Sequence, residues 1–86
     1  MIMILVVFNS RNETLYFAQA LKNQGVFFQI VNTPKEAGQA CGISVKCSER
    51  ILPFAKNILS SRPFRSFVGC FRFSQNGSRT VLEKLF

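Results

Sequence analysis

Residues 1–8 are apolar without interruption, rich in Met, Ile, Leu and Val and closed by Phe8. So continuous a run suits a strand covered on both faces, and therefore one central in its sheet. Ser10, Arg11, Asn12 and Glu13 follow with capping-box spacing, in which the Ser hydroxyl accepts from the Glu13 N–H and the Glu13 carboxylate reaches back to the cap. Leu15, Ala18, Leu21 and Lys22 then fall at helical spacing, and Gly25 stands where a helix stops. Residues 26–31 read as a second strand. Residues 34–42, with Pro34, Gly38 and Gly42 among them, have neither strand nor strong helix character. Residues 43–47 alternate apolar and polar, which predicts a strand with one wet face. Ser48 caps a second helix whose apolar positions are Ile51, Leu52, Ala55, Ile58 and Leu59. Pro53 would forfeit a backbone bond in a helix begun at Glu49, so the start moves toward Leu52, and Arg62-Pro63 ends it. Residues 65–73 predict a strand with Phe67, Gly69, Phe71 and Phe73 on one face and Val68, Cys70 and Arg72 on the other.

The element order is β-α-β-β-α-β. Two helices that each bury one stripe need a sheet to cover, which gives an α+β two-layer sandwich, ferredoxin-like in its order, with a short C-terminal extension. Residues 1–75 are expected to form a single domain and residues 76–86 a tail. Asn76-Gly77 favours a return of the tail as a hairpin strand. Ser78 as a cap, followed by Val81, Leu82, Leu85 and Phe86, favours a short docked helix, and the helix is the expectation taken forward. A chain of 86 residues leaves no room for a second domain, and 48% hydrophobic with 17% charged residues is too apolar for disorder.

Charge and residue inventory narrow the chemistry. There is no His and no Asp, and the acids are Glu13, Glu36, Glu49 and Glu83. An imidazole base, a paired-carboxylate hydrolase and a hard-cation site are thereby disfavoured, and three Cys without a CxxC make a poor zinc site. No metal and no cofactor are expected. The net charge of +7 is uneven: residues 1–43 hold three basic against two acidic side chains, residues 44–86 eight against two. A one-sided positive field suits RNA or an acidic protein surface, met through Arg65 and Arg72, although solubility alone explains such a surplus equally well. Alternating Phe on the last strand matches the rings of RNA-recognition modules in type but not in phase, and such alternation is ordinarily core. Leu82, Leu85 and Phe86 offer an apolar tail to a second copy or a partner. The eight-residue apolar run falls far short of the roughly 20 residues needed to cross a bilayer. It also lacks signal-peptide flanks, and three Cys cannot close a disulfide framework. A cytoplasmic protein with free thiols and no membrane contact is expected.

Those thiols are the strong nucleophiles on offer. Cys41 sits in the irregular segment before a strand, and Gly42 lets the backbone bend beside it. A reactive Cys must be a thiolate, which needs positive charge nearby; Lys35 and Lys46 flank the segment, and Glu36 opposes them. Two readings of Cys41 stand: an exposed nucleophile, or a small apolar filler beside a turn. Cys47 either resolves an oxidised Cys41 as a disulfide or packs beneath the second helix, and Cys70 lies inside an apolar strand.

The series Pro34-Lys35, Gln39-Ala40, Cys41-Gly42, Ile43-Ser44-Val45 and Lys46 resembles a family of small bacterial proteins described as selenium/sulfur carrier-like. The family pattern surrounds this motif with an apolar strand, a helix ending near Gly, and then a second helix and a final strand. The likeness spans about residues 3–73. Lys35 and Lys46 stand where Arg is expected, and Ala40 where a hydroxyl residue is common; Lys supplies charge but no bidentate fork. The resemblance implies a carrier more than a stand-alone enzyme. Cys41 would accept sulfane sulfur or selenium from a donor protein and pass it to an acceptor, with Gly42, Lys35, Lys46 and Cys47 in support. The alternative is a small basic RNA-binding or protein-interaction module with no thiol chemistry, its partner an RNA, an acidic surface or a second copy of the chain.

Overall fold

The first strand, β1 (Met3–Phe8), has Ile4 through Phe8 without exposed surface, as its unbroken apolar run requires. The computed structural model describes residues 2–38 and 42–86. In them β1 is followed by α1 (Arg11–Asn23), β2 (Gln29–Asn32), β3 (Ile43–Ser48), α2 (Leu52–Ser61), β4 (Phe67–Asn76) and β5 (Arg79–Lys84). Short 3-10 turns at Lys35–Ala37 and Glu49–Ile51 interrupt the series. The strands form one antiparallel sheet in the order β2-β3-β1-β4-β5, with β1 at its centre. The fold is α+β in two layers. Ile4, Val6 and Phe8 of β1, Val45 and Cys47 of β3 and Cys70 of β4 meet Phe17, Ala18 and Leu21 of α1 and Ala55 and Ile58 of α2. The Phe8 ring lies 5.5 Å from Phe17, 5.4 Å from Phe64 and 5.7 Å from Phe67, in tilted and edge geometries that suit aromatic pairs.

Helix α1 begins where Ser10 caps it, the Ser10 Oγ accepting from the Glu13 N–H at 3.2 Å. The second half of the expected capping box is absent. The Glu13 carboxylate instead accepts from the Ser66 N–H at 2.8 Å, from the Ser66 hydroxyl and from the Arg65 N–H at 3.3 Å. It thereby ties the first turn of α1 to the loop before β4. The buried stripe of α1 is Thr14, Phe17, Ala18 and Leu21, not one begun at Leu15, which is 43% exposed; Lys22 is exposed as well. The i, i+3, i+4, i+7 series that contains Phe17 turns the larger ring inward. Before α2, the Ser48 Oγ accepts from the Arg50 N–H at 3.2 Å, and the helix proper starts at Leu52 with Pro53 in its first turn.

The tail is not a helix: β4 continues to Asn76 and returns as β5, with Asn76 opposite Arg79. Gly77 and Ser78 are the central turn residues, and Gly77 alone of the two has positive φ, +65°. A Gly there matches the twist of a two-residue hairpin, and the ladder beyond it outweighs a one-turn helix cap. The ladder continues past β5, the Leu85 N–H donating to the Cys70 carbonyl at 2.8 Å and the Cys70 N–H to the Phe86 carbonyl at 2.9 Å. Strict alternation along β4 also fails. Val7 faces Gly69 while Phe8 faces Phe67, so an extra residue bulges at Val68. Phe67 accordingly packs on Phe8 in the core and does not share a face with Phe71 and Phe73.

Replacing Phe8 with Ala should cost about 3–5 kcal/mol, because three neighbouring rings cannot collapse into the space together. Thermal unfolding should fall by roughly 15 °C or more. Phe27→Ser, at a site 75% exposed, should change stability by no more than about 0.5 kcal/mol. Glu13 gives a pH signature. Its hydrogen bonds to Ser66, the hydroxyl foremost and then the N–H, hold its pKa below the ordinary 4.5. The stability it confers is complete above that ordinary value and is lost as pH falls through the lower folded value. Urea titrations between about pH 5 and 3 should therefore show a shallower loss of stability in Glu13→Gln than in the parent chain.

Candidate functional site

The segment between β2 and β3 is closed at its base by two bonds. The Thr33 N–H donates to the Gly42 carbonyl at 3.0 Å, and the Thr33 and Ser44 hydroxyls share a hydrogen bond of 2.6 Å. Ser44 is fully buried, so the polar face of β3 is not wet as its alternation suggests: the loop base covers it. Pro34, at φ −64°, leads into the turn Lys35–Ala37, in which the Ala37 N–H donates to the Pro34 carbonyl and the Gly38 N–H to the Lys35 carbonyl, each at 3.0 Å. Gly38 then takes φ +84° and ψ −149°, a region open essentially to Gly alone, and redirects the chain.

The turn Lys35–Ala37 lies against β5, at the opposite edge of the sheet from β2. To reach it, the loop crosses the face that carries no helix. Leu5 and Val7 point to that face and still have no exposed surface. Lys46 and Phe71 flank Leu5, and Gly69 is opposite Val7. A Cβ on Gly69 would stand 3.1 Å from the Lys84 Cε and 3.2 Å from the Phe71 ring, so the missing side chain is what lets the Lys84 stem and Phe71 lie flat there. The Lys46 Nζ is 4.5 Å from the centre of the Phe73 ring, a cation–π contact that directs it along the same face.

Of the residues singled out from sequence, Lys35, Gly42 and Lys46 thus belong to the loop or to the face beneath it. Cys41, with Gln39 and Ala40, lies outside the described residues. Cys47 points the other way, into the core, as does Cys70; both are fully buried. Desolvation pushes the Cys47 thiol up to about 12 and the Cys70 thiol up to about 11. A protonated thiol sealed under two helices is a poor attacking group, which matches the packing role for Cys47 and gives no support to a resolving one. Sequence reasoning missed Thr33, Ser44, Gly38 and Lys84. For Lys84 the available signal was Asn76-Gly77, which brings β5 back beside β4.

The residues raised for RNA binding are differently placed. Arg72 donates to Glu49 at 3.0 Å and to Glu83 at 2.8 Å, and those bonds, Glu49 first, raise its pKa. Its charge is met on both sides. Arg65 is exposed, whereas Phe71 and Phe73 are half-buried. In the tail, Leu82 and Leu85 are half-buried, and Phe86 packs 6.2 Å from Phe67. Among the described residues no helix is long and apolar enough to cross a membrane, and no group of three or more His, Cys, Asp or Glu could hold a metal.

Comparison with known proteins returns one family. Its model, described as "Putative Se/S carrier protein-like", matches residues 3–65. Neither the curated proteins nor the solved structures compared with the chain give a significant match. The match runs from β1 through α2, takes in the whole β2–β3 loop with Cys41-Gly42, and stops before β4. Covering well over half of the sequence, it places the chain in the Se/S carrier protein-like family.

Proposed function

We propose that this protein carries sulfane sulfur, or selenium in its place, on Cys41 and relays it between a donor and an acceptor protein. The family supports the carrier role. The observation that directs it to Cys41 is the state of the other two thiols, both buried and both protonated at neutral pH. In the loading step the Cys41 thiolate attacks the outer sulfur of a donor persulfide. A new S–S bond forms, the donor S–S bond breaks, and the donor leaves as thiolate. Unloading reverses the roles, with the acceptor nucleophile taking the terminal sulfur and Cys41 departing as thiolate. Neither step needs an external oxidant, and transfer between thiols of similar pKa is near isoenergetic. Lys35 and Lys46 supply positive charge that favours the thiolate, and Gly42 allows a partner to approach the backbone closely. The basic second half of the chain steers acidic partners, acting on association rate more than on affinity. We read the scaffold as ferredoxin-like with an added edge strand; the β2-β3-β1-β4 strand order supports that reading.

Alkylation of the reduced protein tests the assignment. At pH 8 a thiol with a pKa of about 11 is ionised in roughly one molecule in a thousand, so Cys47 and Cys70 should label at least about 100-fold more slowly than Cys41. Incubation with a cysteine desulfurase and cysteine should add about 32 Da at Cys41, removable by reductant and absent from Cys41→Ser. Equal, sluggish labelling of all three thiols, or an unchanged adduct on Cys41→Ser, would overturn the proposal. In Lys35→Gln the midpoint of Cys41 labelling against pH should rise by about half a unit.

A further inference from the structure

The two edges of the sheet differ in chemistry. β5 carries Arg79, Glu83 and Lys84, with Glu83 paired to Arg72, and charged side chains on an edge discourage strand addition. β2 is Gln29, Ile30, Val31 and Asn32, and no charged residue occurs between Val26 and Asn32 in a chain whose net charge is +7. Among the described residues no strand pairs with its outer side. Its pairing to β3 is regular from Gln29 opposite Lys46 to Asn32 opposite Ile43, with neither bulge nor Pro to spoil the edge. Beside that open ladder Ile30 is 42% exposed, and Phe27 is the most exposed large apolar side chain described.

We propose that β2 is a self-association edge, at which a second copy of this chain adds its own β2 antiparallel and joins the two five-stranded sheets. Charge selects the occupant. An acidic partner finds nothing to attract it between Val26 and Asn32, whereas two chains of +7 meet at this edge without setting like charges across the seam. Antiparallel pairing of β2 with itself is isologous, so each copy offers the backbone groups and the Phe27 and Ile30 side chains that the other needs. Only four residues pair on each side, so the dimer is weak and reversible. The two β2–β3 loops leave the seam at opposite ends, and the association is independent of any chemistry at Cys41.

Sedimentation velocity on the full chain, with reductant present to exclude disulfide dimers, tests this. The mass should move from 9.7 kDa toward twice that value as concentration rises to about 0.1–1 mM. It should move further as salt screens the repulsion between copies. Ile30→Lys, which sets a charge on the seam from both sides, should weaken the dimer by about tenfold or more. Val81→Lys makes the same charge change on β5 and should leave it intact. Circular dichroism confirms that each variant is folded. A monomer at every concentration overturns the proposal, as does a dimer that dissolves with salt or one that Val81→Lys disrupts as strongly as Ile30→Lys.

Discussion

Burial of β1 on both faces is the constraint on which the other elements depend. On one face Ile4, Val6 and Phe8 demand a helical layer, and α1 and α2 provide it. On the other, Leu5 and Val7 demand cover where no helix exists. That second demand explains why the chain that leaves β2 at Thr33 carries the Lys35–Ala37 turn across to β5 when a short hairpin would have joined β2 to β3. The described part of the loop is held as cover for the sheet, with Thr33 bonded to Gly42 and Ser44, and Pro34 and Lys35 to residues of their own turn.

Polar contacts lock this arrangement at points distant in sequence. Glu13 joins α1 to the loop before β4, and Arg72 joins β4 to Glu49 and Glu83. Each substitutes a charge-assisted bond between elements for one that the sequence suggests within an element or toward a ligand. The surplus of positive charge on the second half is thereby reduced where Arg72 stands, and its effective field comes from the remaining lysines and arginines.

Sequence legibility followed the range of the interaction that decides each feature. The β1 run, the Ser10 cap and the start of α2 at Leu52 depend on neighbours within one turn or one strand, and all were readable. The bulge at Val68 was not, because alternation presumes an unbroken pleat, and the misplaced face of Phe67 followed from it. The helical spacing of Leu15, Ala18, Leu21 and Lys22 omits Phe17 because the phase of a helix is ambiguous by one residue until the sheet is in view. Ser44 read as solvent-facing because nothing in its own strand records a loop arriving from Thr33. The Cys-Gly motif was visible at once, while the support of its loop by β5 depends on residues more than forty positions away.

That separation has a consequence for synthesis. Ribosomes deliver a chain from its N-terminus, and the strand on which the Lys35–Ala37 turn rests is made about forty residues after the turn itself. A nascent chain can assemble β1, α1 and the β2–β3 pair while the Lys35–Ala37 turn still has no strand to rest on across the sheet. Formation of the β4–β5 hairpin, a proofreading of the scaffold, therefore comes before the Lys35–Ala37 turn is set in its place.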